Sequence, residues 1–175
     1  MNDYSNYIYE APSMLDENNC KYIIQYFENN TQLYKKNANC IEINETTIYD
    51  PKMYEVINEI KNIFDTQFKI FFSNLSNLYN IHQHKFVTSQ FCVEKQIKER
   101  QIISKNQIQR SSMGYMFFLN DIENGGDIYF LNNKPIKAES GKLIFFPIEW
   151  FFTFKENIPM SNDKYILHGS FTLGE

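Results

Sequence analysis

The most informative segment of this chain is IKAESGKLIFFP, which runs from Ile136 to Pro147. Within it Ser140-Gly141 is a turn signal, and the β-branched and aromatic run Lys142 to Ile148 directly follows. Similar short runs lie on both sides of it in the second half of the sequence. They are Phe86 to Val93, Met113 to Leu119, Asp127 to Leu131, Phe151 to Phe154 and Tyr165 to Leu173. Closely spaced short strands that are joined by turns predict a sandwich or a jelly roll.

The first half of the sequence is predicted to be helical. Asp16 is a suitable N-cap for a helix that ends near Asn29, and Asp50-Pro51 is a strong helix start. From Met53 to Leu78, apolar residues recur every three or four positions and form one stripe. A second apolar row, which consists of Val56, Ile63 and Ile70, widens this stripe. We therefore expect a long helix lying flat across a sheet, in a domain of the α+β class.

Length and composition exclude several functions. The chain has 175 residues, 17 basic and 21 acidic side chains and a formal net charge of -4, so one domain without a nucleic-acid surface is expected. The start, Met1-Asn2-Asp3-Tyr4, lacks the features of a signal peptide, and no apolar run is long enough to span a membrane. The 3 cysteines are an odd number, which favours reduced thiols. We expect a cytoplasmic setting and no membrane partner.

Five segments of the second half occur in a characteristic order. They are FLND (Phe118 to Asp121), GGDIYF (Gly125 to Phe130), the segment from Ile136 to Pro147, Trp150, and SNDKYILHG (Ser161 to Gly169). Together they resemble the C-terminal core of the prolyl 4-hydroxylase-like 2-oxoglutarate and Fe(II)-dependent oxygenases, in the form that bacteria, phages and large viruses carry. The resemblance implies a double-stranded β-helix (jelly roll) core in residues 81–175, with mainly helical support in residues 1–80, as one domain of residues 1–175.

The resemblance also implies where such enzymes would hold their iron. They use a His-x-Asp pair and a distant His, which leave coordination positions open for the co-substrate and oxygen. In this sequence Arg100, Ile102 and Phe154 occupy those three positions, whereas Lys164 matches the basic residue that grips the 2-oxoglutarate carboxylate. Arg keeps its proton, and its charge at 4 Å from a divalent cation would cost roughly 8 kcal/mol. The metal ligands are therefore replaced, while the anchor for the co-substrate is retained.

The sequence contains two other candidate binding sites. His82 and His84 could join His168 in a three-histidine metal site, although surface or edge histidines are the favoured interpretation. Arg100 and Lys164 could line a small anion pocket, since Arg binds carboxylates through two parallel hydrogen bonds. The favoured alternative is that a nearby acid neutralises each of them, and Glu99 and Glu156 are the candidate acids.

These observations favour a non-catalytic function. We expect a degenerate oxygenase-like domain without a cofactor, which serves as a structural or interaction subunit of a larger assembly with protein partners. A phage or viral particle is one setting for it, so a virion is predicted as an alternative location to the cytoplasm. The competing hypothesis is an active 2-oxoglutarate dioxygenase with atypical ligands, for which Fe(II) and 2-oxoglutarate would be the cofactors. A jelly roll that binds a small molecule or a sugar is a third class.

Overall fold

The computed structural model describes residues 7–33, 39–43, 50–79, 86–88, 91–99, 113–130, 134–148 and 154–173. Two α-helices, α1 (Glu17–Asn29) and α2 (Pro51–Tyr79), and a short 3-10 turn (Thr31–Leu33) belong to the first half. The strands are β1 (Tyr9–Ala11), β2 (Cys40–Ile43), β3 (Phe86–Thr88), β4 (Phe91–Gln96), β5 (Met113–Phe118), β6 (Ile128–Phe130), β7 (Leu143–Pro147), β8 (Phe154–Glu156) and β9 (Lys164–Leu173). In these ranges, no helix combines the length and the apolar character that a membrane crossing requires.

Both helices begin at the predicted residues, because an aspartate caps each of them. The Asp16 carboxylate accepts hydrogen bonds from the backbone N–H groups of Asn18 and Asn19, at 2.8 and 3.0 Å. The Asp50 carboxylate accepts a hydrogen bond from the N–H of Lys52 at 2.9 Å, one residue after Pro51. These bonds satisfy N–H groups that have no partner within the helix. The two helix starts that the sequence predicted are confirmed.

The described strands form one large and one small antiparallel sheet. The large sheet has the order β1-β7-β5-β9-β4-β2, and β3 pairs with β9 outside this row. The small sheet pairs β6 with β8, and an isolated bridge joins Ile128 to Ile136 beside it. The central strand β9 pairs with β5 on one side and with β4 on the other. Side chains on β9 therefore determine much of what lies on each face of the large sheet.

Two hydrophobic clusters lie on opposite faces of the large sheet. One contains the buried sides of α1 and α2 together with alternate residues of β5, β7 and β9. At its centre, the Phe64 ring of α2 lies 4.5 Å from the ring of Tyr115 and 5.1 Å from that of Phe171, between ring centroids. The other cluster contains the intervening residues of the same strands and the residues of the small sheet, including Ile128 and Phe130. The helices thus cover one face of the large sheet, and the small sheet covers the other.

The structure confirms the mixed helical and antiparallel architecture but differs from the prediction in several places. Strands β1 and β2 come from the half of the sequence that was predicted to be helical, and they form the two ends of the main strand row. The second apolar row of α2 is only partly buried, since Val56 is 3% exposed whereas Ile70 is 45% exposed. Strand β4 continues to Gln96, beyond the predicted end at Val93. The polar segment from Glu94 to Arg110 lacks a regular period and predicts a loop, so this loop begins later than the sequence indicates.

Candidate functional site

The face of the large sheet that points away from the helices carries polar side chains. Neighbouring residues of a strand point to opposite faces, and paired residues on adjacent strands share a face. Cys92 pairs with His168, Glu94 with Ile166, and Gln96 with Lys164, so these six residues lie on one side of β4 and β9. Ile166 packs in the cluster with the small sheet, which identifies that side. We call these six residues the inner face.

Lys164 is completely buried on the inner face. Its Nζ donates a hydrogen bond to the backbone oxygen of Gly126 at 2.9 Å and lies 3.9 Å from a carboxylate oxygen of Glu156. The same Nζ lies 5.3 Å from the centroid of the Phe118 ring. Burial lowers the pKa of Lys164 from its ordinary value, although the negative charges of Glu156, Glu94 and Asp127 oppose this change. The alternative in which an acid neutralises Lys164 is supported by the position of Glu156.

The turn at Gly125-Gly126 positions the oxygen that Lys164 contacts. Both glycines have positive φ angles, 73° and 70°. A Cβ atom at position 125 would lie 2.1 Å from the backbone oxygen of Ile158, so only glycine fits there. The N–H of Gly126 donates to that same Ile158 oxygen at 3.3 Å. The turn at Gly125-Gly126 is therefore held against the segment after β8, with the Gly126 oxygen directed at Lys164.

Glu156 joins the small sheet to the inner face. It pairs with Ile128 in the small sheet, and one of its carboxylate oxygens accepts a hydrogen bond from the Gln96 side-chain amide at 2.5 Å. Its other carboxylate oxygen is the one near Lys164. Gln96 is 5% exposed, and the Glu156 side chain is 17% exposed. A single carboxylate thus receives both an amide donor and an ammonium group inside the protein.

Glu94 and His168 form a second, half-buried pair. The Nε2 atom of His168 lies 3.3 Å from Oε2 of Glu94, with 33% and 16% of the respective side chains exposed. Burial acts to raise the pKa of Glu94, but the contact with His168 and its charge, together with the Gln96 side chain and the charge of Lys164, outweigh this effect, and the pKa is lowered. Burial acts to lower the pKa of His168, but contact with Glu94 and the charges of Cys92 and Glu156 raise it. The pair is therefore electrostatically favourable.

Of the three predicted iron-ligand positions, the described residues include Phe154. This residue begins β8 and is partly buried, and its ring lies 5.4 Å from that of Phe130 and 5.5 Å from that of Phe146, between centroids. These three rings form an aromatic cluster on the inner side of the large sheet. A phenyl ring has no lone pair for a metal ion. If Phe154 takes the place of the distal ligand, as the resemblance implies, the side chain there does not fit an iron ion.

The remaining predicted site residues fall outside the described ranges. Arg100 and Ile102 lie there, and so do His82 and His84. The proposed iron positions at Arg100 and Ile102, the anion pocket of Arg100 with Lys164, and the three-histidine site with His168 thus stay predictions. In the ranges that the structure describes, no three His, Cys, Asp or Glu side chains converge as a metal site requires.

Gln96 and Glu94 are not among the predicted site residues. The segment from Glu94 to Arg110 is polar and lacks a regular apolar period, which predicts a loop. Two signals could have identified them. Phe91 and Val93 lie two positions apart on one face of a strand, which places Glu94 and Gln96 on the other face if the strand continues. Lys164 and His168, four positions apart on one strand, must share a face. Polar residues that alternate with core residues on a central strand indicate a buried polar site.

The arrangement defines a class of protein in which antiparallel sheets enclose a polar inner face and helices pack against the other side of the large sheet. No protein-family model matches the sequence, and no curated protein matches it. Solved structures do match. The viral collagen prolyl hydroxylase of Paramecium bursaria Chlorella virus-1 is 15% identical, with a TM-score of 0.66, over 97% of this chain and 90% of that chain.

Two bacterial structures extend this likeness. A prolyl-4-hydroxylase of Pseudomonas putida is 10% identical, with a TM-score of 0.61, over 97% of this chain and 94% of that chain. An oxidoreductase of the 2OG-Fe(II) oxygenase family from Burkholderia pseudomallei is 10% identical, with a TM-score of 0.61, over 95% of this chain and 84% of that chain. The chain has the fold of the prolyl 4-hydroxylase-like 2-oxoglutarate and Fe(II)-dependent oxygenases. The resemblance that the sequence motifs predicted is confirmed at the level of the fold.

Proposed function

We propose that this chain is a catalytically inactive 2-oxoglutarate/Fe(II) oxygenase-like domain with a double-stranded β-helix core. The observation that carries the proposal is the position of Phe154. By the family spacing it takes the place of the distal iron-binding His, and its ring packs 5.4 Å from Phe130 and 5.5 Å from Phe146. A metal ligand here would need room and a lone pair, whereas this position contributes apolar packing.

The charges of the inner face support the same proposal. The co-substrate 2-oxoglutarate carries two carboxylates, and an active enzyme would offer it an uncompensated cation. Here Lys164 already contacts the Gly126 oxygen and has Glu156 at 3.9 Å, with Glu94 and Asp127 contributing further negative charge. A dianion that approached Lys164 would be repelled by these acids. The acidic side chains of this region neutralise Lys164, so that no uncompensated cation is left to bind the anion.

Without its chemistry, such a domain would serve as a structural or interaction subunit. We propose that it acts within a larger assembly, in the cytoplasm or in a virus particle. Size-exclusion chromatography with light scattering tests the assembly, since a strictly monomeric protein at all concentrations and without a co-purifying protein would contradict it.

The decisive experiment concerns iron and turnover. Purified protein is incubated anaerobically with Fe(II), the bound iron is counted, and succinate formation from 2-oxoglutarate is then measured in air. We expect substoichiometric iron and no succinate above the level of a heat-denatured control. Stoichiometric iron together with succinate formation would support the competing hypothesis, an active dioxygenase with atypical ligands. In that event the ligands would have to be sought among residues other than Phe154.

A further inference from the structure

The carboxylate of Glu156 is held in the way that proteins hold the carboxylate of a ligand. One oxygen accepts a hydrogen bond from the Gln96 amide at 2.5 Å, and the other lies 3.9 Å from the Lys164 ammonium. Ligand sites commonly combine a few such convergent polar groups with apolar surroundings. Here the apolar surroundings include Phe118, whose ring faces the Lys164 ammonium at 5.3 Å.

The two groups that hold this carboxylate are fixed independently of it. Gln96 and Lys164 are paired residues of β4 and β9, so the backbone hydrogen bonds of two central strands set their separation. The Gly126 oxygen, at 2.9 Å from Nζ, restrains the ammonium further. Glu156 instead comes from the small sheet, where it pairs with Ile128 at the end of a three-residue strand. The pocket and its occupant therefore belong to different sheets.

Electrostatics favours an occupied pocket. Lys164 is 0% exposed and Gln96 is 5% exposed, so hardly any of either side chain contacts solvent while the Glu156 carboxylate is in place. A buried ammonium without a counter-charge is costly, as is a buried amide without an acceptor. The Glu156 side chain is 17% exposed, which leaves an approach from solvent beside it.

We propose that Gln96 and Lys164 form a carboxylate-binding pocket whose ligand is the side chain of Glu156 itself. Glu156 acts as an internal plug, and removal of its carboxylate makes the pocket available to a small free carboxylate. This inference rests on the proposed function, because a protein that binds 2-oxoglutarate for turnover would need this place for its co-substrate. The ligand class is a compact monocarboxylate, since Glu94 and Asp127 lie near enough to Lys164 to disfavour a second negative charge.

Chemical rescue tests the proposal. Glu156→Ala removes the Cγ methylene and the carboxylate, which together have the size of acetate. The midpoint of thermal unfolding is measured for this variant and for the wild type in sodium acetate, in sodium chloride, and in acetamide with sodium chloride, all at the same ionic strength. For the variant we expect a saturable rise in acetate, at least about 2 °C above the rise in acetamide. The wild type should respond equally to all three, since its pocket is filled.

A second substitution assigns the acetate to this pocket. In Glu156→Ala with Lys164→Met, the acetate-specific rise should disappear. Equal responses of Glu156→Ala to acetate and acetamide would overturn the proposal, as would a rise that persists without Lys164. These outcomes leave the succinate measurement on the wild type untouched, so the failure of this inference and the failure of the proposed function are distinguishable.

If Glu156→Ala does not fold, the nearly isosteric Glu156→Gln provides the test. Urea unfolding of Glu156→Gln, Lys164→Met and the double variant forms a cycle that measures the coupling between the two side chains. We expect a coupling of at least about fivefold in the folding equilibrium constant. A coupling below about twofold would show that Glu156 is not the partner of Lys164, and the proposal would fall.

Discussion

Glu94 and His168 face each other across two central strands, with Oε2 of the glutamate 3.3 Å from Nε2 of the histidine. Neither Oε1 of Glu94 nor Nε2 of His168 makes a hydrogen bond to another described residue, and both atoms are buried. The pair is thus held by charge more than by hydrogen-bond geometry. Its contribution to stability must therefore depend on pH.

The sign of that dependence follows from the two pKa shifts. The pKa of His168 is raised from 6.5, so its contribution is complete below that value and is lost as the pH rises through the folded-state pKa. The pKa of Glu94 is lowered from 4.5, so its contribution is complete above that value and is lost as the pH falls. We expect the pair to stabilise most between these values, by about 1 kcal/mol, because a third of His168 is exposed.

Glu94→Gln tests this expectation. With the carboxylate gone, burial dominates, and we expect the pKa of His168 to fall below 6.5. The imidazole signals of the 3 histidines are followed by NMR during a pH titration of the wild type and the variant. Glu17→Gln is a matched control, since Glu17 pairs with Lys21 at the exposed surface. An unchanged pKa of His168 in Glu94→Gln would show that the pair is not coupled.

Lys164→Met should reveal the cost of burying a charge. Because burial lowers the pKa of Lys164 below 10.5, the folded chain binds this proton more weakly than the unfolded chain does. The wild type should therefore gain stability relative to Lys164→Met as the pH rises towards 10.5. Urea unfolding across this pH range measures this difference. Lys21→Met, at an exposed lysine, should show no such gain, and a flat difference for Lys164→Met would contradict the lowered pKa.

The aromatic cluster around Phe154 should behave as packing and not as a vacant metal position. Phe154→Ala is expected to lower the free energy of unfolding by about 2 kcal/mol, because it removes ring contacts with Phe130 and Phe146. Tyr54→Ala is a suitable control, since Tyr54 is 51% exposed on α2, and it should cost less than about 0.5 kcal/mol. Chemical denaturation measures both values.

Phe154→His tests whether a histidine at this position is enough to create an iron site. The family spacing places Arg100 and Ile102 at the other two ligand positions, and neither side chain binds iron. A single imidazole is a weak site, so we expect no stoichiometric Fe(II) in anaerobic binding measurements on this variant. Tight iron binding after this one substitution would mean that the other two ligands exist elsewhere and that their positions were wrongly assigned.

Gly125→Ala should lower the free energy of unfolding by much more than the addition of one methyl group would suggest. The φ angle of Gly125 is 73°, and an added Cβ would meet the backbone oxygen of Ile158 at 2.1 Å. Backbone strain and the clash together should cost more than about 2 kcal/mol in free energy of unfolding. Asn124→Ala, one residue earlier in the same turn and exposed, should stay within about 0.5 kcal/mol of the wild type. Similar stabilities of the two variants would show that the backbone of the turn can rearrange at little cost to accommodate a Cβ atom at position 125.

Much of the fold was predictable because local signals agree with the tertiary structure. The caps at Asp16 and Asp50 are encoded within a few residues, and so is the turn at Gly125-Gly126. The apolar stripe of α2 predicted its buried side through Met53, Ile60 and Phe64. Strands β1 and β2 could not be found in this way. They have three and four residues, and their pairing partners β7 and β4 lie far along the chain.

The candidate site was less predictable for a related reason. Lys164 was found through the family spacing, and Phe154 was found in the same way. The partners of Lys164 depend on strand register and on how two sheets approach, which no local pattern encodes. Gln96 meets Glu156 only because β4 pairs with β9 while β8 belongs to the small sheet. A carboxylate that lies 60 positions from its amide partner cannot be inferred from spacing alone.

The places of β1 and β2 at the ends of the main strand row have a consequence for biosynthesis. During translation, Tyr9 leaves the ribosome long before Phe145, to which it is joined in the finished sheet. In the nascent chain β1 therefore stays unpaired until β7 has been made, which is after most of the other described strands. Until β1 pairs with β7, the unpaired backbone groups of these strands can form hydrogen bonds with other polypeptides. We therefore expect chaperones that bind extended segments to act on this protein during its synthesis.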